Sequence, residues 1–275
     1  MKYDLCIVLR VYPWIIDAQK VFCDDKFLLY KKSLNSMINA IGELKTFVYV
    51  LLDHCPNEYK DYTEKNLKNI DHDIIVYKEK QWNAQTFKKQ IELLSKQNFS
   101  ERCLFLEDDY LHIPWSIENF VKIMKDNDIE FWTTYNSPDY QKMLIHNYRP
   151  NLLYYNNNVY WNFASTTMTF FCTKQSLEKY KEELLSYTKW NHDFSMWFSM
   201  TKLWLFNIWN MLKALFTNFF QFKLFGYIRY KCIKYIIKTP KTTLYVPLLS
   251  GSAHIDKKWL PKWTDWQKIW NSINI

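Results

Sequence analysis

The chain reads as an α/β protein with a mostly parallel central sheet and helices on both of its faces. Three observations predict this. Short, continuous apolar runs recur through the first half, at DLCIVLRV, TFVYVLL, DIIVY and CLFL. Stretches of helical character, about 12 to 17 residues each, separate them. Every run ends in polar or charged groups, which is where open α/β sheets gather their ligands.

The elements follow in order. Asp4–Val11 is expected as a strand. Asp25–Ile41 is expected as a helix, with Leu28, Leu29, Leu34, Met37, Ile38 and Ile41 near helical spacing. Thr46–Leu52 is a strand, Asn57–Asn69 a polar helix, Asp73–Tyr77 a strand and Ala84–Gln97 a helix. Cys103–Leu106 is a strand. Pro114 suits the first turn of a helix reaching about Lys125. Ile129–Thr133 is a further strand, and Tyr160–Cys172 is β-rich around a Ser-Thr-Thr cluster. Gln175–Tyr187 is expected as one helix, and another begins in WNHDFSMW, with Asn191 or His192 near its cap. Leu203–Phe225 is apolar and aromatic except for Asn207, Asn210, Lys213, Thr217 and Gln221. These recur every three or four positions, one narrow polar stripe on a helix. Lys213 at its middle favours an amphipathic helix over a membrane span.

The 275 residues, 48% of them hydrophobic, suffice for one large domain. The only glycines are Gly42, Gly226 and Gly251, so neither GxGxxG nor GxxxxGK[ST] can be written. Any phosphate must be held by charge. The six cysteines form no C-x-x-C pair, and three lie in apolar runs; they are expected as reduced, buried thiols of a cytosolic protein. Asp4 and Arg10 interrupt the first apolar run, which reads as a strand and not as a signal peptide. The net charge of +8 is uneven: residues 194–255 contain no Asp or Glu.

Glu107, Asp108 and Asp109 stand in a row at the end of a strand. Such carboxylates suit Mg²⁺ or Mn²⁺, which take oxygen ligands and share them with substrate phosphates. An ordinary solvated acidic loop would have the same sequence. LFLEDDY resembles the D-x-D region of GT-A fold glycosyltransferases. DLCIVLRVYP resembles the first nucleotide-binding strand of that fold, YVLLDHCPNEY the second, and WNAQTFKKQIELL the helix before the D-x-D strand. TTYNSPDYQ, WNFASTTMTFF and VPLLSGSAHIDKKWLP follow in family-like order. The chain thus resembles family 2-type sugar transferases over about 3–260, weakly at 200–240. It departs from them in carrying Glu107 at the first D-x-D position and in lacking glycine-rich loops.

The resemblance implies a single GT-A-type domain over 1–275. Its nucleotide-sugar-binding half is 1–135, and its acceptor half, 136–275, includes the basic segment 200–240. It also implies roles for individual residues. Arg10 would sit near the base or diphosphate, and Asp53 would bind the nucleoside. Asn83 and Lys88 would face the nucleotide, and Asp108 would touch the ribose or sugar. The metal, Mn²⁺ or Mg²⁺, would fall to Asp109 with Glu107 and His254, the division of labour within 107–109 being open. Asp193 would be the general base that deprotonates the acceptor, with His192 as the adjacent alternative; a helix-start acid without catalytic duty fits the same position. Trp82, Trp115, Tyr135, Trp161 and Trp190 are placed beside the cleft.

The expected activity is metal-dependent, inverting transfer of a sugar from a nucleotide-sugar donor, a UDP-sugar preferred, to a glycan or lipid-linked saccharide acceptor. The alternatives are a metal-dependent nucleotidyltransferase and a non-catalytic membrane-associated protein. The lysines and aromatics of 200–240 fit an anionic membrane surface better than nucleic acid, which implies a cytoplasmic, peripheral location; a core helix with surface lysines fits the same pattern.

Overall fold

The computed structural model describes residues 2–142, 144–146, 148–189, 193–203 and 208–275. The first half contains β1 (Leu5–Val11), α1 (Lys26–Ile41), β2 (Thr46–Asp53), α2 (Asn57–Leu67), β3 (Asp71–Tyr77), α3 (Asn83–Lys96), β4 (Arg102–Glu107), β5 (Tyr110–His112), α4 (Ser116–Asp126) and β6 (Phe131–Trp132). The second half contains β7 (Leu152–Tyr155), β8 (Asn158–Phe163), β9 (Phe170–Thr173), α5 (Lys174–Lys179), α6 (Lys181–Ser186), α7 (Asp193–Thr201), α8 (Ile208–Thr217), α9 (Phe219–Lys238), β10 (Leu244–Pro247), β11 (Ser252–His254) and α10 (Trp266–Ser272).

One sheet runs through both halves in the order β3-β2-β1-β4-β9-β6-β10-β8-β7. Strands β1, β2, β3, β4, β6, β7 and β10 point one way, and β8 and β9 the other. The expected α/β fold with a mostly parallel sheet is the one observed. β1 has neighbours on both sides and layers on both faces, which explains its unbroken apolar run. Leu5, Ile7 and Leu9 pack with Leu34 and Met37 of α1 and Val121 of α4. Cys6 and Val8 face the opposite way, onto Phe87 and Ile91 of α3 and Trp197 of α7. Burying each large apolar side chain stabilises the fold by about 1.5–3 kcal/mol.

Several boundaries differ from expectation, each for a local reason. Helix α4 starts at Ser116 because Trp115 adopts a left-handed conformation, φ 65°, with its N–H donating to Asn39 O. The helix expected over Gln175–Tyr187 breaks at Tyr180, which is fully buried and bonds Glu130 through its hydroxyl. The helix expected over Leu203–Phe225 is two helices. Asn218 stops α8 and caps α9, its side chain accepting from Gln221 N at 3.1 Å. Asn207 of the polar stripe lies outside the described residues, as do Trp190, Asn191 and His192. No helix among the described residues is long and apolar enough to cross a membrane.

Candidate active site

Strand register brings the first groups together. Arg10 is aligned with Leu51 of β2 on one side and with Glu107 of β4 on the other. Asp53 ends β2, one residue beyond the Val11–Leu52 pair. Arg10, Asp53 and the acidic triplet therefore share one edge of the sheet, formed by the carboxyl ends of parallel strands.

The three acids have different surroundings. Glu107 Oε1 accepts from Arg10 Nη1 at 2.8 Å, and Arg10 Nη2 donates to Asn83 Oδ1 at 2.7 Å. Burial, together with the neighbouring Asp109 charge, pushes the Glu107 carboxyl up to about 7 against the pull of Arg10. Asp108 is buried and held on both oxygens, Oδ1 by Lys26 Nζ at 2.9 Å and Oδ2 by Tyr12 N at 3.0 Å. Burial raises its pKa while Lys26 opposes the rise. Asp109 Oδ2 accepts from Gln19 Nε2 at 2.5 Å and faces His254 Nε2 at 3.2 Å. Its Oδ1 is buried and has no partner among the described residues. Burial disfavours the Asp109 charge, but the His254 imidazolium outweighs it and holds the carboxyl below the usual range.

His254 is placed by a second, two-stranded sheet. β11 pairs antiparallel with β5, setting His254 opposite Tyr110, and Ile255 N donates to Asp109 O at 2.8 Å. The imidazole stacks on the Tyr110 ring with centroids 5.1 Å apart. Burial would lower its pKa, but Asp109 raises it to about 9.

Asp53 is fully buried; Oδ1 accepts from Gln81 N at 2.7 Å, and burial raises its pKa. Beside it a groove of about 560 Å³ opens between the ends of β1, β2 and β3, with Trp14, His54, Pro56 and Tyr77 among its walls. Trp14 and His54 stack at 5.7 Å, and Lys80 Nζ lies 5.3 Å from the Trp14 ring centre. The groove is the size of a small-ligand site.

Asp193 is the first residue of α7, its Oδ1 accepting from Phe194 N at 2.7 Å. Tyr187 links it to the strand ends. Its ring meets that of Phe87 of α3 edge-on, with centroids 5.5 Å apart; burial raises the Tyr187 phenol, and the charges of Glu107 and Asp193 raise it further. Arg10, Asn83 and Glu107 are joined at the strand ends, and the charges of Glu107 and Asp193 both reach Tyr187.

Some expected residues stand apart. Lys88 is exposed on α3, more than a turn beyond Asn83. Among the described residues no three His, Cys, Asp or Glu side chains gather closely enough to hold a metal ion. Glu107 turns to Arg10, which leaves Asp109 and His254 as a pair. Trp115 sits against Gly42, just past the end of α1, and Trp161 packs on Phe163 in a satellite core. Tyr135 is buried, its hydroxyl on Trp259 O and its ring edge towards His254. Trp82, 71% exposed, does flank Asn83.

Lys26, Tyr12, Gln19, Gln81, Trp14 and Tyr187 were not expected in the site. Lys26 carries at most a weak signal in the sequence, a cation at a helix start where it opposes the helix dipole.

No family model and no curated protein sequence matches the chain. Among solved structures it is similar to S. aureus TarS 1-349, with a TM-score of 0.42, 10% identity, and coverage of 71% of this chain and 55% of that one. It is also similar to a cytidylyltransferase from Leptospira borgpetersenii serovar Hardjo-bovis (strain JB197), with a TM-score of 0.36, 13% identity, and coverage of 65% and 64%. The chain spans less than two thirds of either structure. Likeness at this level says nothing about what the chain binds or catalyses.

Proposed function

We propose that the chain is a glycosyltransferase of GT-A type that moves a sugar from a nucleoside-diphosphate sugar to an acceptor hydroxyl. The observation that carries this reading is Asp109, whose buried Oδ1 has no partner among the described residues, at a strand edge shared with Arg10, Asp53 and His254. An orphaned buried carboxylate oxygen beside a histidine suits a hard divalent cation, Mn²⁺ or Mg²⁺. Asp109 would hold it, and His254 would join by giving up the proton it shares with Asp109, with substrate phosphate oxygens completing the shell. Glu107 would join only by releasing Arg10. Such an ion supplies neutralising charge to the diphosphate leaving group.

The remaining roles follow from position. Trp14 and His54, in the wall of the groove, would receive the nucleobase, with Asp53 buried behind that wall. Arg10, its guanidinium bonded to Glu107 and Asn83, would meet the diphosphate. Asp108, committed to Lys26 and Tyr12 N, is a positioning residue that holds the loop after β1 against the acidic turn. Lys88 serves at most as a distant charge. Asp193 accepts the acceptor proton as its oxygen bonds to the anomeric carbon, and the bond from that carbon to the diphosphate breaks. One displacement at that carbon inverts its configuration. A glycan or lipid-linked saccharide is the acceptor class.

The test is a donor screen with UDP-, GDP- and dTDP-sugars and with nucleoside triphosphates, each with Mn²⁺. Release of nucleoside diphosphate from one sugar nucleotide is expected. Consumption of a triphosphate with release of pyrophosphate would overturn the reading in favour of a nucleotidyltransferase.

A further inference from the structure

The α8–α9 hairpin departs from its sequence pattern: Lys213 and Thr217 of the polar stripe stay exposed, but the stripe does not form one outer face. Two members of the polar stripe turn inward: Asn210 Nδ2 donates to Leu144 O at 3.3 Å, and Gln221 Oε1 accepts from Leu144 N at 2.9 Å. Ala214 and Phe225 complete the inner face against Phe198 of α7. Met211, Phe222 and Leu224 pack partly against that face, but other large apolar groups are left outside. Trp209 is 81% exposed, Phe216 83% and Phe220 74%, and Tyr230, Ile233 and Ile237 of α9 are exposed too. An apolar edge of this extent on a helical hairpin calls for a partner.

The charges identify the partner. Lys213, Lys223, Lys234 and Lys238 are exposed along the same two helices, and Lys223 Nζ lies 4.8 Å from the Phe219 ring centre. No Asp or Glu occurs from 194 to 255. A second copy of the chain would bring this basic face against itself with no acid in the segment to neutralise it. An anionic lipid surface neutralises the lysines while its acyl boundary receives the rings.

We propose that α8–α9 is a membrane-docking element that seats Trp209, Phe216 and Phe220 in the headgroup–acyl boundary of a bilayer carrying anionic lipid. The hairpin lies in the interface and does not cross it, in keeping with the length and hydropathy of its helices. It packs on α7, which begins at Asp193, so docking sets the candidate base at a fixed place relative to the lipid. Binding to lipid needs no donor and stands independently of the transfer reading.

The test is co-sedimentation of the full chain with phosphatidylcholine vesicles, with and without phosphatidylglycerol. Binding is expected only with phosphatidylglycerol, weakened by salt. Trp209→Ser, Phe216→Ser and Phe220→Ser together should lower the partition at least about a hundredfold. Neutralising Lys213, Lys223, Lys234 and Lys238 to Gln should cost about fivefold each. All seven side chains are exposed, so melting temperatures should not move; if the serine variant unfolds early, the lysine series decides. No preference for the anionic vesicles, or undiminished binding by a folded variant set, would overturn the proposal. So would a concentration-dependent dimer that the serine variant abolishes, which would make the edge a self-interface.

Discussion

Lys26→Met tests how the acidic turn is held together. Lys26 Nζ and Asp108 Oδ1 are 2.9 Å apart, with only 5% and 7% of the two side chains exposed. Met keeps the length and apolar body of the side chain and removes the charge. Asp108 is then left buried beside Asp109, with Tyr12 N as its remaining donor. Removing one partner of a buried pair costs about 3–5 kcal/mol, which for a chain of this size is a fall in melting temperature on the order of 10 °C. Adding Asp108→Asn removes the stranded charge and should restore most of the loss, so the cycle should show a coupling of at least about 2 kcal/mol. The deficit of Lys26→Met should shrink in acid. A carboxyl whose pKa is raised in the folded state binds its proton there first, so lowering the pH favours folding. The assay is urea unfolding at pH 7 and pH 5. A loss below about 1 kcal/mol, or additivity of the two substitutions, would refute a structural Asp108.

Three further predictions concern other parts of the molecule. His112 and His146 are buried, and burial lowers both to about 3; the unfolded chain binds their protons first as pH falls from 6.5, so stability should drop by about 2 kcal/mol per histidine by pH 5, and His112→Leu should flatten the slope. An unchanged slope in that variant would contradict the assignment. Trp14→Ala should weaken nucleoside diphosphate binding by about fivefold to a hundredfold, the loss of one base-stacking partner, as read by calorimetry. Asp193→Asn should retain nucleotide affinity but slow transfer by about 10²–10⁴; full transfer by this variant would exclude Asp193 as the base.

Much of the fold was legible because its signals are local. The apolar runs of β1, β2 and β4 mark strands covered on both faces, and the polar groups at their carboxyl ends, Arg10, Asp53 and Glu107, follow from the polarity of the sheet alone. His254 could be suspected from its place after a strand and a glycine-containing loop. Contacts between distant segments were not legible. Lys26 meets Asp108 across 82 positions, and Gln19 meets Asp109 across 90. The hairpin misled for a related reason: a periodic polar stripe defines a face but not which way the face turns. Here backbone groups at Leu144 needed partners, and Asn210 and Gln221 turned inward to supply them.

The central claim is that Asp109 holds a metal-bound diphosphate. Calorimetric titration of UDP into the chain, with and without Mn²⁺, tests it directly, with Asp109→Asn as the paired sample. Mn²⁺ should tighten binding at least about tenfold in the native chain and leave the Asp109→Asn affinity unchanged. Equal affinity with and without Mn²⁺ in the native chain, or a full Mn²⁺ effect in Asp109→Asn, would contradict the account.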